Sequence, residues 1–474
     1  MTELFELTAR DAVGQLKRGT VSPSELIDAA LQRIEQTDGI LNALPIMCAD
    51  RARERADRLV HPDPDDTPRG YLYGLPIAIK DMKDVEGVLC TRGSPIFADH
   101  VPDSSDLLVT ILESRGGVVL AKSNTPEFAA GANTFNEVFG KTRNPWNTDM
   151  TCGGSSGGSA TALASGQVWL ASGSDLGGSL RIPASFCSVV GLRPTPGRVA
   201  HGPRSMPFGT LSVEGPMGRT VGDVALMLDA QAGAYAQDPL SLPAPARAFV
   251  DWVDNPTTPR RIGYTPDLGL TAVDSEVAEI CRGAMDHFRD ISTEVEEAGI
   301  DFGDAEWVFQ TLRGALFVAN YRTLLAEHRS ELKPEVIWNV EHGLALSQDD
   351  VALAKLERGA LINRTAEFFS EYDLLVCPTV LAPPFDVDVR YLTEVNGERF
   401  DTYISWLIMT FALTLTGCPA ISVPCGFTES GLPVGLQIMA PWKEEGCLLA
   451  ASALFEDAAG LSKLIPLDPR TPEA

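Results

Sequence analysis

A chain of 474 residues with 44% apolar side chains can bury a substantial core, as one large α/β domain or as two or three ordinary ones. Its 64 acidic against 38 basic residues leave a net charge of −26. That excess is spread along the chain, a solvated surface that argues against nucleic acid or an anionic membrane as a direct partner. Nine cysteines, an odd number without C-x-x-C spacing, read as reduced thiols of a cytoplasmic protein. The acidic start MTELFELTARD lacks the basic and then apolar run of a signal peptide. The longest apolar stretch, Trp406 to Leu415, is too short to span a bilayer.

Taken in order, the chain opens on helices. Thr8 caps one that runs to about Arg18, with Ala9, Ala12, Val13 and Leu16 on one face and Gly19 as its stop. Ser22-Pro23-Ser24-Glu25 is a capping box for a second, ending near Asp38-Gly39, and a third spans roughly Cys48 to Leu59. His61 to Arg69 is a surface loop. GLPIAIKD then places Lys80 at the end of an apolar strand, where a lysine is usually a solvated charge. Leu107 to Gly116 and Val118 to Ala121 read as helix and strand, the alternation of an α/β sheet. Lys122 sits in a near miss of a phosphate loop (GGVVLAKS) and reads as structural. Thr125 to Trp146 is long and irregular, as loops that line sites often are; Thr125 and Phe128 are its candidates for substrate contact.

The stretch Thr151 to Arg181 organises the rest. Between two Gly/Ser clusters it carries a short Ala-rich helix, Ser159 to Gly166, and a buried strand at Val168-Trp169-Leu170. A flexible linker does not carry Trp, Val and Leu at strand spacing. Gly154 to Gly158 formally fits the G-x-S-x-G elbow, but a loop composition (Asn144 to Asp149) precedes it where the elbow needs a strand. The second cluster, Ser174-Asp175-Leu176-Gly177-Gly178-Ser179, ends a strand in a turn that sets a hydroxyl beside several backbone N–H groups. Those are the parts of a nucleophile with an oxyanion site.

Beyond it, Ile182 to Pro203 reads as loop and short strand, Val221 to Ala232 as a helix, and Ala236 to Pro259 as a surface excursion. A strand resumes at Arg261-Ile262-Gly263-Tyr264. Amphipathic helices follow at Glu276 to Asp290, Trp307 to Glu327 and Asp349 to Phe369, with buried strands at Leu374 to Thr379 and Ala420 to Pro424. None of the six histidines stands in a motif-like setting, which disfavours a Ser-His-Asp triad, and no ligand spacing suggests a metal. A Ser/Lys arrangement remains.

GGSSGGSA, SDLGGSLRIPASFCSVVGLRPTPGRV, GLPIAIKDMKDVEG and PAISVPCGFTESGLPVGLQIMAP together resemble the amidase signature family over roughly Thr8 to Leu454. The resemblance implies one α/β domain over residues 1–474 with a central mixed sheet flanked by helices on both faces. Within it, 1–60 supplies N-terminal helices, 70–232 the catalytic core, 233–260 the excursion, and 261–474 the part completing sheet and pocket. It implies Ser179 as nucleophile, Ser155 after a cis Gly154–Ser155 peptide as the bridging serine, and Lys80 as base. The N–H groups of Leu176, Gly177, Gly178 and Ser179 would hold the oxyanion, with no cofactor and no metal. Ser174 stands where threonine is common and Arg193 where lysine is usual, and Asp175 and Arg181 organise the loop.

Members include amide hydrolases of several kinds and the amide-cleaving subunit of glutamine-dependent aminoacyl-tRNA amidotransferases. The latter clamps glutamine with an arginine and an aspartate. Ile337, Trp338 or Asn339 and Trp406 or Leu407 stand at those places here, so the expected substrates are neutral acyl or aryl amides, with carbamates and esters beside them. Trp338 and Trp406 join the candidates for substrate contact. A small-molecule amide is the implied partner, and a homodimer is compatible with the sequence but not required by it.

Overall fold

The first forty residues fold as their capping signals direct. Thr8 accepts from the Asp11 N–H at the start of a helix, Ala9–Arg18, that Gly19 ends in a left-handed conformation. Ser22 and Glu25 close a reciprocal capping box on the helix Pro23–Leu41. That helix runs past Gly39 to a left-handed Asn42, because the Asp38 carboxylate takes the Ala43 and Leu44 N–H groups just beyond its end. The computed structural model describes residues 3–63, 66–203, 205–292 and 294–471.

Eleven strands form one mixed sheet. In chain order they are β1 (Ile46–Met47), β2 (Pro76–Lys80), β3 (Val118–Ser123), β4 (Leu170–Asp175), β5 (Val190–Arg193), β6 (Val213–Gly218), β7 (Arg261–Tyr264), β8 (Glu294–Glu297), β9 (Leu374–Pro378), β10 (Ala420–Phe427) and β11 (Pro433–Met439). Their order across the sheet is β1-β3-β2-β4-β6-β5-β10-β11-β9-β7-β8. β2 lies parallel to β3 and β4, and β7 is parallel to β8 and β9; every other pairing is antiparallel. Strands β2, β3, β9 and β11 are buried along their whole length, as helices on both faces require. No helix among the described residues is long and apolar enough to cross a membrane.

The signature stretch departs from the pattern read in its sequence. Its helix begins earlier, at Gly157, and ends at Ala164. Its strand begins at Leu170 and runs on through Ser172, Gly173 and Ser174 to Asp175, so part of the second Gly/Ser cluster is strand rather than turn. Pairing with β6 along its whole length, and with β2 at Leu170 and Ala171, outweighs the weak strand preference of glycine and serine there. The Ile182 to Pro203 region, read as loop and strand, contains the helix Arg181–Cys187 before β5. The excursion carries a short helix, Phe249–Asp254, seated by a buried Phe249.

Three consecutive helices follow β8, the first packed on the other two: Ala305–His328, Pro334–Ala345 and Gln348–Glu371. The middle one is absent from the sequence reading, although Pro334 at its first turn and buried Val336 and Val340 carry its signal. It crosses Ala305–His328 at a glycine pair: a Cβ on Gly343 would lie 2.2 Å from the Gly314 carbonyl oxygen. Gly343→Ala is therefore expected to cost about 1–3 kcal/mol by overpacking. Gly283→Ala, in the helix Ser275–Ile291 with nothing within 4 Å of the new methyl, should instead add about 0.5–1 kcal/mol. Urea denaturation of the two variants checks both signs.

Candidate active site

Lys80 ends β2 where its neighbour β4 carries the second serine cluster, so the parallel pairing brings the lysine side chain to that cluster. The side chain is 1% exposed. Its Nζ lies 2.7 Å from Ser155 Oγ, 2.9 Å from Ser156 Oγ and 3.1 Å from Ser174 Oγ. The backbone N–H of Lys80 also donates to Ser172 Oγ. Burial lowers the amine to about 7, and the charges of Glu214 and Asp175 only partly offset it. Three hydroxyls around an amine that is half deprotonated near neutrality make a proton acceptor with fixed geometry.

The Gly154–Ser155 peptide is cis. Ser155 and Ser179 both line one cavity of about 1130 Å³, together with Ser174, Leu176 and Gly177. The two serine loops are tied by a bond from the Ser156 N–H to the Ser179 carbonyl at 3.2 Å. The Ser179 hydroxyl itself makes no hydrogen bond to another described residue and is partly exposed to the cavity.

The turn that presents Ser179 is built on Asp175. Its carboxylate accepts from the Gly178 and Leu180 N–H groups and from two nitrogens of Arg181, and it pairs with Arg193 at 3.3 Å. Burial pushes this carboxyl up, but the two guanidinium groups outweigh it and hold it well below the usual carboxylate range. The organising role read for Asp175 and Arg181 is thus what their contacts describe. One expectation needs correction. The Gly178 N–H is engaged by Asp175 and Gly178 does not line the cavity, whereas Leu176, Gly177 and Ser179 do. Gly178 is instead a backbone pivot: its φ is +116°, and a Cβ there would lie 2.3 Å from Thr410 Oγ1. Thr410 in turn donates to the Gly177 carbonyl at 2.7 Å.

The remaining candidates divide. Phe128 lines the cavity, on a backbone held at φ +49° while Glu127 beside it accepts from Ser94 Oγ and the Lys333 N–H. Thr125 is buried behind the wall, its N–H bonded to Asn124. Trp338 stacks on His342, and Trp406 packs edge-on against Phe385; neither lines the cavity. Lys122 pairs with Asp81 at 2.8 Å, away from the cavity. His201, the one cavity-lining histidine among the described residues, has its Nε2 3.2 Å from Lys83 Nζ and 3.4 Å from Glu214. Among those residues no group of three His, Cys, Asp or Glu side chains is arranged to hold a metal. Sequence reading misses Ser156 as a partner of Lys80, and misses the wall residues Phe309, Leu312, Arg313 and Phe317 on one helix. An amphipathic pattern marks such a helix but not which residues of its inner face meet a cavity.

A family model described as Amidase matches residues 25–449. The chain belongs to the amidase signature family. It is an amide-hydrolysing enzyme of that family. It is 33% identical to an acylamidase of Rhodococcus erythropolis, over 96% of each chain. It is 34% identical to a glutamyl-tRNA(Gln) amidotransferase subunit of Moorella thermoacetica, over 96% of this chain and 97% of the other. Among solved structures, a bacterial aryl acylamidase of the amidase signature family superposes with a TM-score of 0.89 at 28% identity, covering 98% of this chain and all of the other.

Removing the charge at the root of the loop tests how the site is held. Asp175→Asn leaves two buried guanidinium groups facing each other and is expected to destabilise this amidase by about 3–5 kcal/mol at neutral pH. Chemical denaturation measures it, and a loss below about 1 kcal/mol would contradict the organising role given to Asp175.

Proposed function

We propose that the enzyme cleaves the C–N bond of acyl and aryl amides through a covalent acyl-enzyme on Ser179, with Lys80 as base and Ser155 as proton relay. The observation that carries this is the buried amine of Lys80 2.7 Å from Ser155, which lines the same cavity as Ser179. Neutral Lys80 takes the proton of Ser155 while Ser155 takes that of Ser179, whose oxygen attacks the carbonyl carbon. The N–H groups of Leu176, Gly177 and Ser179 receive the negative charge that develops on the carbonyl oxygen. As the tetrahedral adduct collapses, the proton held by Lys80 returns through Ser155 to the leaving nitrogen. Water then attacks the ester, loses a proton by the same route, and releases the acid and Ser179. The same acyl transfer extends to carbamates and esters.

Apolar walls support the substrate class. Phe309 stacks on Phe411, and its ring would meet a Cβ on Gly177 at 3.1 Å. Phe128, Leu312, Phe317, Ile404 and Leu407 continue the lining, which suits uncharged acyl or aryl groups next to the scissile bond. A second reading, the amide-cleaving component of a glutamine-dependent aminoacyl-tRNA amidotransferase, is favoured by the 34% identity to a protein of that kind. It requires a partner that switches on glutaminase activity, and co-purification assays with glutamine discriminate the two.

Ser179→Ala is expected to lower kcat on a p-nitroanilide by at least about 10⁴-fold, and Lys80→Ala by a comparable factor because the two act as a unit. Normal acid release by Ser179→Ala overturns the assignment. The pH profile is a separate check. Because the base works only when unprotonated and its lowered value is about 7, kcat/KM should climb about tenfold per pH unit below 7 and level above it. A profile flat from about pH 5 to 9 would exclude Lys80 as the base.

A further inference from the structure

The charges lining the cavity do not balance within it. Its three described carboxylates each have a cation beside them: Asp84 pairs with Arg92 at 3.3 Å, Glu214 with Lys83 at 2.8 Å, and Asp106 with Lys83 at 3.8 Å. Arg313, Lys355 and Arg358 also line the cavity, and none of them has a carboxylate partner among the described residues. In a chain with a net charge of −26, three such cations facing one cavity are a feature to be explained. Arg313 is occupied, donating to Asn339 and to the Tyr403 hydroxyl with its guanidinium over Phe317.

Arg358 is different. Its Nε donates to the Leu415 carbonyl at 2.9 Å, near the C-terminal end of the helix Ile408–Thr416. A helix end accounts for a cation nearby, but it supplies only a partial charge and takes one of five donors. The two terminal nitrogens, the edge that binds a carboxylate in a fork, bond to no described residue. Burial lowers Arg358, and no neighbouring carboxylate offsets it. Lys355, one turn earlier on the same helix, adds an ammonium at the cavity margin.

We propose that Arg358, assisted by Lys355, binds a carboxylate carried by the substrate at a distance from the scissile amide. This rests on the amidase reading and refines it: the groups flanking the bond are apolar, and the far end of one of them is an anion. The substrate class is then an ω-carboxyacyl amide or an N-acyl derivative of an amino carboxylate, and Arg358 is a specificity residue rather than a participant in bond making.

Two pairs of shape-matched amides test it. Glutaryl p-nitroanilide is compared with isoheptanoyl p-nitroanilide, whose terminal isopropyl group mimics the carboxylate outline. N-butyryl p-aminobenzoate is compared with N-butyryl p-isopropylaniline. Affinities are measured by calorimetry on Ser179→Ala, so that binding is read whether or not the amides are turned over. In one of the two pairs the carboxylate member should bind about 10- to 100-fold tighter. Adding Arg358→Gln should bring that ratio close to one, and Lys355→Glu, at an exposed position, should reduce it several-fold. Equal binding within both pairs overturns the proposal, as does a preference that survives Arg358→Gln. Should that variant fail to fold, a preference untouched by Lys355→Glu and by ~0.5 M salt overturns it, and its loss in both supports it. The enzyme with Ser179 intact is assayed on all four amides in parallel. Absence of hydrolysis there defeats the amidase reading alone, since the binding ratio still decides the carboxylate site.

Discussion

The carboxylate of Asp175 is the point on which the active end of this molecule hangs. It closes the strand β4, takes the N–H groups of Gly178 and Leu180, and binds Arg181 through two nitrogens. Arg181 then reaches the Thr410 carbonyl, the Thr414 hydroxyl and the Gln437 side chain. One buried ion pair therefore joins the loop of Ser179 to a helix and a strand far along in the chain. Neither charge is tolerable in the interior by itself, so the loop, Arg181 and the C-terminal part are held together by the need to keep both satisfied.

The same low-polarity interior that makes the pair strong shapes Lys80. An ammonium there loses its hydration and has no adjacent carboxylate; its close neighbours are hydroxyls. The physical contrast is with Lys122, equally buried but seated on Asp81 and raised rather than lowered. Two lysines on adjacent strands, both without solvent, are thus set to opposite protonation behaviour by a single carboxylate. This contrast supports a structural part for one and a proton-transfer part for the other.

Around this centre the cavity is divided by charge. Part of its lining is a network of paired ions with His201 in it, part is aromatic and aliphatic, and part is cations without carboxylates. On the proposed reading, such a lining discriminates by what the ends of a ligand bring as well as by the amide in the middle, because a charge left without its partner is costly on either side of the interface.

Local chemistry determined much by itself. The caps at Thr8 and Ser22, the apolar run ending at Lys80, and the paired serine clusters are properties of a few neighbouring residues, so they are visible without the fold. The grouping of Lys80, Ser155 and Ser179 as a set, by contrast, was implied only by the resemblance to the family, since the three lie far apart in the chain. Tertiary structure alone decided the rest. Gly178 lost its N–H to Asp175, Leu170 to Asp175 became strand through pairing with β6, and Thr125, Trp338 and Trp406 turned away from the cavity while Arg358 turned toward it. Which side of a buried wall a residue faces depends on contacts between segments far apart in the chain. Composition and periodicity do not hold that information, because they record what a segment can bury and not what it is buried against.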